Sequence, residues 1–279
     1  MDTTVVQNNK IDFVDRWQRH IVGMGKVTSQ NGILCLSKAC SSQDTYSNAQ
    51  IDDYQGLPRN RFRWHPPLQL TVHARFSHSA AQTKPTLRSV SYPCISNQLT
   101  GTAGFGFWND PFLMTNVRWP TLPRAIWFFH ASPPSNMKLC FKSPGYGWKA
   151  ATIDAWRLPF WLLLPTAPIA MPLMRIDWFY RWLWPIGQRA IAVREASIPH
   201  EMTKWHTYTL EWHVHLVRFL IDGNEILTEP VTISGPLGFV AWIDNQYMIV
   251  TPQGKFGHGM VESQKREFLE LAQVQIEPL

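Results

Sequence analysis

The sequence predicts an all-β protein, a two-sheet sandwich over residues 1–279 with one apolar, partly helical insertion at 157–192. Three observations carry this. Short runs with period-two alternation recur, separated by Gly, Pro, Asn and Asp turns. A chain of 279 residues, 45% of them hydrophobic, is long enough to close one large core. Against that background, residues 158–174 carry no charge at all and four prolines.

Residues 68–77 place Leu68, Leu70, Val72, Ala74 and Phe76 on one side, with Gln69, Thr71, His73, Arg75 and Ser77 on the other. That is a half-buried strand with a polar, basic outer face. Residues 101–109 read as a glycine-rich strand, with Gly104 and Gly106 on one face to admit close packing. Residues 124–131 are apolar on both faces, as in a central strand, and 148–156 form another. Strands at 205–213 and 215–221 follow, and Asp222-Gly223-Asn224 makes a tight turn into 225–228. Residues 238–243 and 269–276 complete the set.

In the insertion, Pro159, Pro165, Pro168 and Pro172 break any span of the roughly 20 apolar residues a membrane crossing needs. A short helix is expected over 173–184. Ile176, Phe179, Tyr180 and Leu183 share a face, and Asp177 meets Arg181 at i,i+4 spacing. The segment reads as an apolar lid over one sheet, as extra core, or as a membrane-surface patch using Trp178, Trp182 and Trp184.

The formal charge is +6, unevenly spread. Between Asp53 and Asp154 the only acid is Asp110. That stretch holds Arg59, Arg61, Arg63, Arg75, Lys84, Arg88, Arg118, Arg124, Lys138, Lys142 and Lys149, with His65, His73, His78 and His130. It favours an anionic partner or developing negative charge, or serves residue by residue as a solubilising surface. Nucleic acid is not the expected partner: there is no zinc-finger spacing, RNA-binding signature or basic helix. Neither a phosphate loop, a dinucleotide fingerprint nor a serine elbow occurs, and no cofactor is predicted. No metal is predicted either, since His213 and His215 lack a third ligand at recognisable spacing. The polar start, with Asp2, Asp12 and Asp15, does not read as a secretory leader. Cys35, Cys40, Cys94 and Cys140 form no CxxC pair and read as free thiols, so a cytoplasmic location is expected.

The run Trp205-His-Thr-Tyr-Thr-Leu-Glu-Trp212, followed by Val217-Arg-Phe-Leu-Ile-Asp-Gly223, resembles a double strand of the concanavalin A-like lectin/glucanase superfamily. It is most similar to the family-sixteen glycoside hydrolases. Gly104-Phe-Gly-Phe-Trp108, the strand at 124–131 and the strand at 269–276 resemble the same family in order, over about two-thirds of the chain. The resemblance implies a jelly-roll sandwich with a concave ligand-binding sheet. The family's catalytic E-x-D-x-E strand departs: here it reads Ala125-Ile-Trp-Phe-Phe-His-Ala-Ser132, without a carboxylate. A retaining glycosidase needs two carboxyl groups about 5–5.5 Å apart, so hydrolase activity is not carried over. In its missing leader, missing carboxylates and apolar insertion, rather than in a motif, the chain is also similar to fungal hetero-Diels–Alderases that couple tropolones to sesquiterpenes.

His73 and Arg75 are the first catalytic candidates, as acid/base and fixed donor, on the premise that their strand face borders the groove. His130 is either a hydrogen-bonded core histidine or a catalytic group with depressed pKa. Trp127 and Phe129 share one face of their strand, Phe128 and His130 the other, and one pair must be core. Trp108, Asn109, Trp127, Phe129, Trp242, Asn245, Gln246, Tyr247 and Trp178 are the substrate-binding candidates, aromatic walls beside orienting amides. Asp110 is expected to pair with an arginine or cap the turn before Pro111. The function expected is an enzyme that binds an apolar, oxygenated small molecule and promotes cyclisation or cycloaddition. Holding reactants in a near-attack pose can remove about 7–11 kcal/mol of barrier. The alternatives are a non-catalytic carbohydrate-binding module and a protein-interaction domain using the Trp-rich insertion.

Overall fold

Alternation along β5 (Leu68–Phe76) decides how the layers stack. Every second residue from Leu68 to Phe76 is buried, and those between are half-exposed. A strand with one dry face must pack that face on a second sheet. The computed structural model describes residues 16–80, 97–112 and 118–279. Asp2, Asp12, Asp15, Lys84, Arg88 and Cys94 lie outside them.

The N-terminal quarter supplies β1 (Gln18–Val22), β2 (Gly25–Gln30), β3 (Ile33–Lys38) and β4 (Asn48–Asp52). After β5 come β6 (Thr102–Trp108), β7 (Arg124–Ala131), β8 (Gly147–Asp154) and β9 (Arg194–Ser197). The hairpin β10 (His206–Trp212) and β11 (Val217–Ile221) leads to β12 (Asn224–Glu229), β13 (Gly238–Asp244), β14 (Gln246–Val250), β15 (Phe256–Met260) and β16 (Glu267–Pro278). Two seven-stranded antiparallel sheets result. One runs β1-β4-β13-β6-β7-β8-β9, the other β12-β11-β10-β5-β16-β3-β2. The chain crosses between them repeatedly, giving a jelly-roll sandwich. The strands expected from alternation are present, with ends shifted by a residue or two.

Aromatic rings lock the two sheets. Phe105 meets Tyr208 at 5.1 Å, Phe128 meets Phe219 edge-on at 5.2 Å, and Phe107 meets Trp212 at 5.6 Å. Each such pair adds about 0.5–1.5 kcal/mol beyond area burial. Two ion pairs are also buried: Lys38 with Glu267 at 2.7 Å and Lys149 with Glu195 at 3.2 Å.

The insertion between β8 and β9 forms three helices, α1 (Leu158–Leu163), α2 (Ala167–Leu173) and α3 (Asp177–Ala190). The sequence reading anticipated one, over 173–184. Pro159 and Pro168 sit in the first turns of α1 and α2, where proline forfeits no intrahelical bond. The prolines therefore divide the run into short helices instead of unwinding it. Asp177 and Arg181 pair at 2.9 Å as their spacing requires. Among the described residues no helix is long and apolar enough to cross a membrane. The helices rest on the 137–145 loop: Trp184 Nε1 donates to the Leu139 carbonyl at 3.0 Å, and Tyr180 packs on Phe141 at 4.9 Å.

Candidate functional site

The outward face of the sheet containing β6 and β7 carries an aromatic cleft, and cross-strand register builds it. Facing residues in an antiparallel ladder point the same way. One row across the sheet reads Gln50, Trp242, Gly104, Phe129, Lys149; the next reads Asp52, Val240, Gly106, Trp127, Ala151. Glycine at 104 and 106 leaves the floor open. A Cβ on Gly104 would overlap the Phe128 carbonyl and lie 3.1 Å from the Trp242 ring. A Cβ on Gly106 would lie 2.7 Å from the Trp127 Cβ, and φ there is +153°, a conformation side chains rarely adopt.

Three indoles therefore share the floor. Trp108 and Trp242 are parallel, with centroids 6.1 Å apart, and Trp127 lies 5.5 Å from Trp242 and 6.0 Å from Trp108. Phe129 stacks on Trp127 at 5.2 Å. Two of the indole N–H groups are satisfied within the protein: Trp108 donates to the Tyr54 hydroxyl at 2.7 Å and Trp242 to Thr102 Oγ1 at 2.9 Å. Trp108 and Trp242 are themselves buried, so the half-buried Trp127 offers the accessible indole surface, backed by the other two. Phe112, Met137, Gln246, Tyr247 and Met248 complete the wall, enclosing about 470 Å³ of space partly open to solvent. Among the described residues no carboxylate, amine, guanidinium or imidazole lines it.

Carboxylates lie close by, each held through at least one oxygen, while Asp244 Oδ2 is buried with no hydrogen-bond partner among the described residues. Asp244 Oδ1 accepts from Thr102 Oγ1 at 2.8 Å and from the Gln246 amide at 3.0 Å. Burial raises its pKa to about 6. Asp52 accepts from Gln50 and Gln55 and is also raised by burial. Asp110 pairs with Arg118 at 2.8 Å, the bland role expected of it. On the cleft side of β8 and β9, burial raises the Glu195 carboxyl against the pull of Lys149.

The cleft gathers Trp108, Trp127, Phe129, Trp242, Gln246 and Tyr247 from the sequence candidates. The others go elsewhere. His73 and Arg75 stand on the outer face of the opposite sheet. His73 stacks on Trp205 at 5.0 Å, and Arg75 pairs with Glu270 at 2.6 Å. The premise failed because the clefted sheet is the other one: β5's dry face is core, so its polar face looks to solvent on the far side. His130 points into the sandwich core, fully buried, with no hydrogen-bond partner among the described residues for either ring nitrogen. Burial first, then Lys38, lowers its pKa to about 3. Asn109 is a brace, donating to the Leu122 carbonyl at 2.9 Å and accepting from the Arg124 amide at 2.9 Å. Asn245 ties the 41–47 loop to β13, accepting from the Ser47 amide at 2.9 Å. Trp178 is 66% exposed on α3, and no residue of the insertion lines the cleft.

The cationic stretch likewise does not converge on the cleft. Arg59 donates to the carbonyls of Asn109, Asp110 and Trp119; Arg124 pairs with Asp154 and Lys149 with Glu195. These cations brace loops and strand ends. Cys35, Cys40 and Cys140 are free thiols. Among the described residues no group of three or more His, Cys, Asp or Glu side chains is placed to hold a metal.

Sequence reasoning missed Thr102, Phe112, Met137 and Met248. Met137 and Met248 are brought together by a long-range link, the Asn136 amide donating to the Met248 carbonyl at 2.9 Å. No local pattern encodes it. Thr102 faces Asp244 across the β6–β13 ladder, which only the register shows.

No known sequence family and no curated protein matches the chain. Solved structures with a similar fold include a family 16 glycoside hydrolase endo-glucanase from Bacteroides ovatus, with TM-score 0.47 and 11% identity over 95% of this chain and 98% of that one. The kappa-carrageenase from Pseudoalteromonas carrageenovora aligns with TM-score 0.49 and 8% identity, over 93% and 88%. A lichenase from a mouse hindgut metagenome aligns with TM-score 0.44 and 11% identity, over 94% and 93%.

Proposed function

We propose that the cleft binds an apolar, oxygenated small molecule and promotes its cyclisation or cycloaddition by holding it in a reactive pose. One observation carries the reading: six aromatic side chains form the site, and among the described residues its polar groups are confined to Thr102, Gln246 and Tyr247. Such a lining repays burial of carbon surface, at about 25 cal/mol per Å², and offers a carbonyl or hydroxyl a few partners. Among the described residues no pair of carboxylates lines the cleft for acetal cleavage. Catalysis then rests on positioning in a partly dry site, the mechanism that needs least from side-chain acids and bases.

The second reading is a non-catalytic carbohydrate-binding module. It is favoured by the half-buried Trp127 indole, backed by Trp108 and Trp242, since an indole face in a cleft also stacks on sugar rings. The scarcity of hydrogen-bonding groups for sugar hydroxyls weighs against it.

The deciding experiment titrates the protein with a tropolone and, separately, with β-glucan oligosaccharides, reading tryptophan fluorescence and calorimetric heat. Tropolone binding is expected, weakened about tenfold or more by Trp127→Ala. His73→Ala and Arg75→Ala should leave it unchanged. Incubation with a tropolone carbinol and humulene should then give adducts above background. Saturable oligosaccharide binding without tropolone binding would establish the module instead; tropolone binding without turnover would reduce the cleft to a carrier site.

A further inference from the structure

We propose that α1–α3 dock the protein peripherally on an anionic lipid surface. Seventeen large hydrophobic side chains are exposed among the described residues, and ten of them fall within 156–186. Apolar surface is thus concentrated on the insertion, where a free-standing fold would disperse it. On α3, Trp178, Trp182 and Ile186 recur every four residues as one exposed stripe, and Trp178 and Trp182 stack at 6.2 Å. On α1, which packs against α3, Leu158 and Leu162 repeat the spacing and are 70% and 69% exposed.

Charge selects the occupant. The ionisable groups of the insertion are Arg157, Arg175, Arg181, Arg189 and Asp177, a net charge of +3 from four cations less one acid. The adjoining loop adds exposed Lys138 and Lys142. Two copies of such a face would repel across a shared interface, whereas anionic headgroups would neutralise it. Tryptophan and arginine beside leucine and isoleucine are the side chains suited to the headgroup boundary, where one end is apolar and the other wet. The helices are too short to cross, so the surface can lie on a bilayer but not span it. The insertion does not line the cleft, so this surface is independent of what the cleft binds.

The test is flotation of the full chain with vesicles of phosphatidylcholine alone or mixed with phosphatidylserine, alongside sedimentation without lipid. Association with the mixed vesicles is expected, weaker on phosphatidylcholine and reduced by salt. Trp178→Ser with Trp182→Ser should lower it about tenfold or more on both, with an unchanged urea midpoint because both residues are exposed. Arg175→Gln with Arg189→Gln should lower it about fivefold per residue, on the anionic vesicles only. Absence of flotation, or flotation untouched by the tryptophan pair, would overturn the proposal. So would a lipid-free dimer that the tryptophan pair dissolves, which would make the occupant a second copy.

Discussion

Replacing His130 with leucine should stabilise this protein, and more so in acid. The imidazole lies at full burial in the core, facing the opposite sheet, with neither ring nitrogen hydrogen-bonded among the described residues. An unpartnered buried polar group costs about 1–3 kcal/mol, and leucine fills nearly the same volume without one. A gain of about 2 kcal/mol is expected at pH 7, or about 3–4 °C in Tm for a chain of this length. Protonation adds to it. The ring takes up its proton near 6.5 when unfolded and at about 3 in the fold. The folded value is depressed, so below 6.5 the unfolded chain binds more protons and stability is lost as pH falls toward 3. By pH 4 that loss is about 3.4 kcal/mol. The variant escapes it, so its advantage should grow from about 2 kcal/mol at pH 7 to about 5 at pH 4. Asp53 and Asp244, both raised to about 6 by burial, act in the opposite sense between about 4 and 6. They are common to both proteins and cancel in the difference. Urea unfolding followed by tryptophan fluorescence across this pH range measures it. A less stable variant, or an advantage flat with pH, would refute the placement of an unpartnered neutral imidazole in the core.

Gly106→Ala should cost about 3 kcal/mol, from a strained φ and a methyl driven into Trp127; near-UV circular dichroism should register the displaced indole, and an unchanged spectrum at wild-type stability would contradict the cleft floor. Lys149→Met should cost about 3–5 kcal/mol at pH 7 by stranding Glu195. Burial already raises the Glu195 pKa, so the deficit should shrink as pH falls and the carboxyl is protonated. Adding Glu195→Leu should recover most of the loss at pH 7, as chemical denaturation of the single and double variants would show.

The strands most legible in the sequence were those whose alternation reports a dry and a wet face. In β5 and β10, buried and half-exposed residues take turns along the whole element. β4 hid because it has no wet face: Asn48, Gln50 and Asp52 are buried along with Ala49 and Ile51, so its polarity pattern looked like a loop. β14 and β15 form a two-stranded sheet of their own, and their short runs carry Gly257 and Gly259. In the site, the aromatic residues of β6, β7 and β13 could be named because indoles on central strands have few places to go. His73 and Arg75 were misplaced, and His130 stayed open between core and cleft, for a single reason. Period two says which residues share a face, but not which face meets the other sheet and which meets the cleft.

Composition and periodicity, then, are local quantities, and they sufficed for the β class, the glycine strand, the tryptophan supply and an uncharged segment apart from the rest. Assigning β5's polar side to solvent and the Trp127 side to the cleft required the order of strands in two sheets. So did bringing Met137 to Met248 and seating Asp244 under Thr102. Those are pairings between residues tens to more than a hundred positions apart, set by the register of a closed sandwich, and no window along the chain contains both partners.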